Sequence, residues 1–152
     1  MTKALWRAHV EVFVLAMPVL FRLAPLRLLL RLATPPRWFR PYRGIPVETL
    51  LAVVGRRLAQ PRLMRRRACL RKGLTLYHFL ALAGMPAEVH FGVYPPRPEA
   101  KCCRAHCWVS LDGRVLADPP EESCAEVLVY PRAGGIEQAG RRGVAEFLKA
   151  EP

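Results

Sequence analysis

At 152 residues, with 52% hydrophobic and 9% aromatic content, the chain is long enough for one domain with a substantial core. It is short for two domains, and its composition excludes a disordered polymer. The net charge of +12 comes mostly from arginine and only four lysines; such a balance draws anions (nucleic acid, anionic lipid, acidic peptide) without selecting among them.

Residues 1–60 read as helices punctuated by proline, with candidates at Leu5–Met17, Pro25–Ala33 and Pro46–Leu58. Pro25 and Pro46 suit a first helical turn, where a missing N–H costs nothing. Thr34-Pro35-Pro36 and the segment Arg40 to Gly44 are breakers. Lys3 and Arg7 precede an apolar run from Val10 to Phe21, but Glu11 and Pro18 interrupt it and no small-residue cleavage site follows. Neither a signal peptide nor a spanning helix of roughly 20 apolar residues is expected. Attachment to a membrane surface by an amphipathic helix is left open and is not the expectation.

Beyond Pro61 a new helix is expected over Cys69–Ala83, with Leu70, Leu74, Tyr77 and Ala81 as its buried stripe and Arg71 and Lys72 facing water. Gly84 and Pro86 terminate it. Ala87, Val89, Phe91 and Val93 alternate with Glu88, His90 and Gly92 and predict a strand. Tyr94 to Lys101, with three prolines, is a loop. The run Ala105-His106-Cys107-Trp108-Val109-Ser110 and its continuation to Asp118 predict a hairpin turning at Asp112-Gly113. Glu126–Tyr130 reads as a further strand, Gly134-Gly135 as a turn and Arg141–Lys149 as a terminal helix. Helices first and an antiparallel sheet after them is the order of an α+β fold.

The chemistry is concentrated in three residues. Cys69 opens a helix, where unpaired N–H groups favour a thiolate and can hold an oxyanion. Arg65, Arg66 and Arg67 before it break the usual charge preference at a helix start, and could support the thiolate or bind an acidic substrate. Taken alone, a buried cysteine acting as a small hydrophobe is the commoner case. His106 and Asp118 lie on the hairpin. A two-residue loop would put them on opposite faces of the sheet. A three-residue loop, Leu111 to Gly113, would set them directly opposite on one face with Cβ atoms about 5 Å apart. The sequence does not choose; a working His–Asp pair requires the second, with Gly113 at positive φ.

Cys102, Cys103, His106 and Cys107 form a cluster of potential metal ligands, but the spacing lacks a CxxC and no second ligand pair follows, so no metal is expected. Five cysteines without a regular framework point to reduced thiols and a cytoplasmic setting. His78 and His90 read as ordinary surface or satisfied core residues. There is no phosphate loop or dinucleotide fingerprint, and no cofactor is expected. The arginines at Arg56-Arg57 and from Arg62 to Arg71 lack the interleaved aromatics of a nucleic-acid platform, so a nucleic-acid partner is not expected.

The segment C-L-R-K-G-L-T-L-Y-H-F-L-A-L-A-G-M-P-A-E-V-H-F-G-V, followed by A-H-C-W-V-S-L-D-G-R-V-L-A-D, resembles the lasso-peptide leader peptidases, transglutaminase-like and papain-related cysteine peptidases. The resemblance spans residues 67–118. It rests on a cysteine opening a helix, a G-x-P-A turn, an A-H-x-W-V strand, a D-G-R turn, and an aspartate twelve residues after the histidine. It implies a Cys69–His106–Asp118 triad that removes the leader of a ribosomally made precursor before a macrolactam synthetase closes the ring. It implies as partners the precursor's leader, that synthetase and a separate winged-helix recognition protein, because residues 1–60 lack strand signals. The expected organisation is a helical region, 1–60, packed on a transglutaminase-like core, 61–152, with a nucleophile helix and an antiparallel sheet. Cys107, where the family has a small residue, and the Cys102-Cys103 pair depart from the pattern. A non-catalytic peptide- or protein-binding module of the same fold is the alternative.

Overall fold

The computed structural model describes residues 3–59, 68–95 and 104–131. The expected terminal helix, the Gly134-Gly135 turn, the arginines 62–67 and the Cys102-Cys103 pair lie outside them. The elements are α1 (Lys3–Leu23), α2 (Leu26–Ala33), α3 (Val47–Leu58), α4 (Ala68–Leu82), β1 (Ala87–Val93), β2 (Ala105–Leu111), β3 (Arg114–Ala117) and β4 (Ala125–Tyr130). The fold is α+β, with four helices and a four-stranded antiparallel sheet of order β3-β2-β1-β4 among the described residues. The chain divides into two compact units, Met1–Ala87 and Glu88–Pro152.

In the first unit α4 is the central element, packed against α1, α2 and α3. A single buried stripe was expected along it. Instead every residue from Gly73 to Leu80 is buried, along with Leu70 and Leu82, because three helices surround it and a helix enclosed on all sides is apolar all round. Leu74, Phe79 and Leu80 are fully buried, as are Leu50 and Val54 of α3. Truncating a residue such as Phe79 to alanine costs about 3–5 kcal/mol in such a setting. The helix stops as its sequence suggests: Gly84 has φ +81°, the Met85 N–H donates to Leu80 O at 3.0 Å, and the Gly84 N–H donates to Ala81 O at 2.9 Å. These are the paired bonds of a Schellman cap.

Helix α1 runs to Leu23, through Pro18 and past the expected end at Met17. The proline removes one i→i−4 bond, while the buried series Trp6, Val10, Val14, Met17 and Phe21 continues beyond it at helical spacing. Pro25 and Pro46 stand just outside their helices, as extended N-cap residues. Their carbonyls accept the first helical bonds, from Leu29 at 3.1 Å and from Leu50 at 3.2 Å.

In the second unit, strand alternation sets two faces. Val89 and Phe91 of β1 and Cys107 and Val109 of β2 are fully buried. The even-numbered positions, which include His90, His106, Trp108 and Ser110, carry the polar and aromatic groups of the site.

Candidate active site

The β2–β3 hairpin closes without the three-residue loop expected for a His–Asp pair. Leu111 pairs with Arg114, leaving a two-residue turn in which Asp112 has φ +49° and Gly113 has φ +76°. Both are left-handed, as a type I′ turn requires, and Asp and Gly are the residues that accept it. Gly113 therefore has the expected positive φ in a different turn. The parity is repaired one step further on. Ser110 pairs with Val115 but Val109 pairs with Ala117, so Leu116 is an extra residue in β3. A bulge of one residue switches the side-chain alternation beyond it.

The result brings His106 and Asp118 together through a different atom of the aspartate. Asp118 leaves the strand in the left-handed region, at φ +53°. Its main-chain carbonyl lies 3.0 Å from His106 Nε2, so the expected bond from imidazole to carboxylate is made to the backbone oxygen instead. A carbonyl only accepts, so Nε2 carries the proton and Nδ1 presents its lone pair. That tautomer makes Nδ1 the basic atom of the ring.

His106 is held by its neighbours. Trp108, two residues along the strand and on the same face, stacks on it at 5.9 Å and 22°. Tyr94 approaches the other way at 6.1 Å, with the Arg104 guanidinium 4.0 Å over the Tyr94 ring and ion-paired to Glu121 at 2.9 Å. Trp108 in turn stacks on His90 at 5.3 Å and 9°. His90 is pinned at both nitrogens: Nδ1 is 2.7 Å from Glu126 Oε2 and Nε2 is 2.7 Å from the Ser110 hydroxyl. In the neutral ring, Nδ1–H donates to the carboxylate and Nε2 accepts from serine.

His90, expected to be an ordinary surface or satisfied core residue, is part of this cluster, and Ser110 and Glu126 join it without a sequence signal of their own. Alternation in E-V-H-F-G-V and A-H-C-W-V-S places His90, His106, Trp108 and Ser110 at even positions, which is a signal for a shared face. It says nothing of which residues meet across strands, because Glu126 reaches His90 past a second register shift, between Phe91 and Gly92.

Cys69 belongs to the first unit, second in α4, half-buried and reduced. The first-turn N–H groups of α4 have no intrahelical acceptors, which suits them to a developing oxyanion. Cys107 is fully buried, at a strand position opposite in parity to His106. Burial pushes the Cys124 thiol up from its ordinary range, against the opposing pull of Tyr94 and Arg104. His78, two turns along α4, is buried and donates Nδ1–H to Ala33 O at 2.9 Å; it is a satisfied core residue.

The profile of the transglutaminase-like superfamily matches residues 12–128, a stretch that holds Cys69, His106 and Asp118. The chain belongs to the transglutaminase-like superfamily. That superfamily includes cysteine peptidases. Among curated proteins and among solved structures, none matches the chain.

Proposed function

We propose that this member of the transglutaminase-like superfamily is a cysteine peptidase that removes the leader from a lasso-peptide precursor. Its triad is Cys69, His106 and Asp118. The observation that carries the reading is the bond from His106 Nε2 to the Asp118 carbonyl, because it leaves Nδ1 as the base that a thiol nucleophile needs. His106 Nδ1 takes the Cys69 proton and the thiolate attacks the carbonyl carbon of the scissile bond. N–H groups at the start of α4 hold the oxyanion, and the imidazolium returns its proton to the leaving amine. Water, deprotonated by the same nitrogen, then releases the acyl group and regenerates the thiol. Asp118 acts by fixing the ring's tautomer and orientation, the role of the third member in such triads.

The substrate assignment rests on the resemblance of residues 67–118 to leader peptidases. It entails cytoplasmic action together with a winged-helix recognition protein and a macrolactam synthetase. Cleavage of the cognate precursor, followed by mass spectrometry with the recognition partner supplied, tests it. Cys69→Ala should abolish release of the leader while the fold persists, and alanine at Cys102, Cys103, Cys107 or Cys124 should leave activity in place. Leader release at the normal rate by Cys69→Ala refutes the peptidase reading. A well-folded wild type that binds the leader and never cuts it supports a non-catalytic binding module.

A further inference from the structure

Helix α1 is apolar on two sides. One side is the buried series from Trp6 to Phe21. The other carries Leu5, Val12, Leu15, Val19 and Leu23, which are 56%, 66%, 55%, 57% and 79% exposed. With Ala8, also exposed, these residues fall within an arc of about 80° at 100° per residue and extend about 27 Å along the axis. No charged or polar residue of α1 falls in that arc. Scattered exposed leucines mean little, but a continuous stripe of this length marks a surface that meets something apolar.

The stripe has apolar neighbours in the same unit. Phe39 lines an open groove with Leu5, Ala8, Val12 and Tyr42. Trp38 beside it is 83% exposed, whereas Trp6 and Trp108 are buried. Leu28 and Leu32 of α2 are exposed as well. The charges in this region have one sign. Arg22, Arg27, Arg31, Arg37, Arg40 and Arg43 are all exposed, in a stretch without a single Asp or Glu. Glu11, the only carboxylate before Glu48, is ion-paired with Arg57 of α3.

From this pairing of an unbroken apolar stripe with an arginine-rich surround, we propose that the α1 face docks in the interfacial layer of an anionic bilayer. The stripe lies along the surface among the upper acyl chains, the arginines meet the negative headgroups, and Trp38 sits at the level where indole rings are favoured. Among the described residues no helix is long and apolar enough to cross a membrane, so the helix lies on the surface. Charge complementarity singles out this occupant over a second copy of the chain, since symmetric pairing of this face would bring two arginine-rich surfaces together whose one nearby carboxylate, Glu11, is already ion-paired with Arg57. The inference stands apart from the peptidase reading.

The test uses the full chain and vesicles of phosphatidylcholine with about 30 mol% phosphatidylglycerol. Because Trp38 is the one exposed tryptophan of the three, docking should shift the emission to the blue, and Trp38→Phe should remove the shift while co-sedimentation remains. Affinity should fall at least about tenfold on pure phosphatidylcholine or in high salt. Val12→Glu with Val19→Glu, at exposed positions that leave the fold intact, should abolish co-sedimentation. No binding to anionic vesicles, binding unaffected by the glutamates, or a dimer that the glutamates dissociate without any lipid binding would each overturn the proposal. An acidic protein captured by this face while the vesicles are ignored would overturn it too.

Discussion

His106 and Asp118 are joined through the aspartate's backbone: Nε2–H donates to the Asp118 carbonyl at 3.0 Å, and that carbonyl is aimed by a left-handed residue at φ +53°. That bond draws on Asp118's tolerance of the left-handed region and on an oxygen that any residue there would present. Asn and Gly share that tolerance, whereas an alanine at such φ costs about 1–2 kcal/mol.

Peptide cleavage by Asp118→Asn and Asp118→Gly should accordingly stay above that of Asp118→Ala, and all three above His106→Ala. A carboxylate-only role predicts a different order, with Asn, Gly and Ala equally impaired. Steady-state rates on one precursor distinguish the two.

The hairpin shows where the sequence was legible and where it was not. Asp112-Gly113 announced the turn, and His106 and Asp118 announced a pair, because residue types carry that information. The loop length was not readable, and a shared face does not require the longer loop: a bulge at Leu116 restores it beyond the two-residue turn, and an extra residue in a strand leaves no pattern until its partner's register is known. Helix α4 was legible in extent and not in burial: its apolar stripe was visible, but burial on every side depends on three helices meeting around it. The first helix was expected to end at Met17, whereas the apolar period continues past Pro18 through Phe21 and carries the helix with it. Cys69 at a helix start was readable from its neighbours; His90 was not, since its two partners come from other strands.

The His90 ring supports Trp108, which supports His106, and Glu126 and Ser110 hold His90 in place. His90→Ala should lower kcat about ten- to a hundredfold, the scale on which a misplaced catalytic group loses rate, with KM little changed. His90→Phe combined with Ser110→Ala should recover much of that loss, since it keeps a ring on Trp108 and leaves no serine hydroxyl stranded. Full activity in His90→Ala would show that Trp108 holds His106 without this support.

Gly92 is the point at which β1 lets the tryptophan lie flat. A methyl group added there would sit 3.0 Å from Trp108 Cζ3 and 3.0 Å from the Ala125 carbonyl, and closer still to Cys124 Sγ. The carbonyl belongs to the strand ladder and Trp108 is held between two imidazoles, so neither yields cheaply. Gly92→Ala should cost about 1–3 kcal/mol, the range for overpacking, and lower activity by tilting Trp108. Chemical denaturation measures the first and peptide cleavage the second; a neutral Gly92→Ala on both would refute the close packing.

His78 is buried, stacked on Phe13 at 4.2 Å and 5°, and burial holds its pKa down at about 4, against the opposing effect of its bond to Ala33 O, with His9 adding a further downward push. In the unfolded chain the same ring titrates near 6.5. Between these values the unfolded state binds a proton that the folded state refuses, so stability present above pH 6.5 is lost as pH falls toward 4, by about 1.4 kcal/mol per unit and about 3 kcal/mol in all. Below pH 4 both states are protonated and this contribution levels off. His9, also lowered by burial, acts with the same sign. Denaturant midpoints measured from pH 7.5 down to 4.5 should fall steeply for the wild type and distinctly less for His78→Gln, whose amide can still donate to Ala33 but does not titrate. Identical pH slopes for the two proteins would show that the buried imidazole is not what acid attacks.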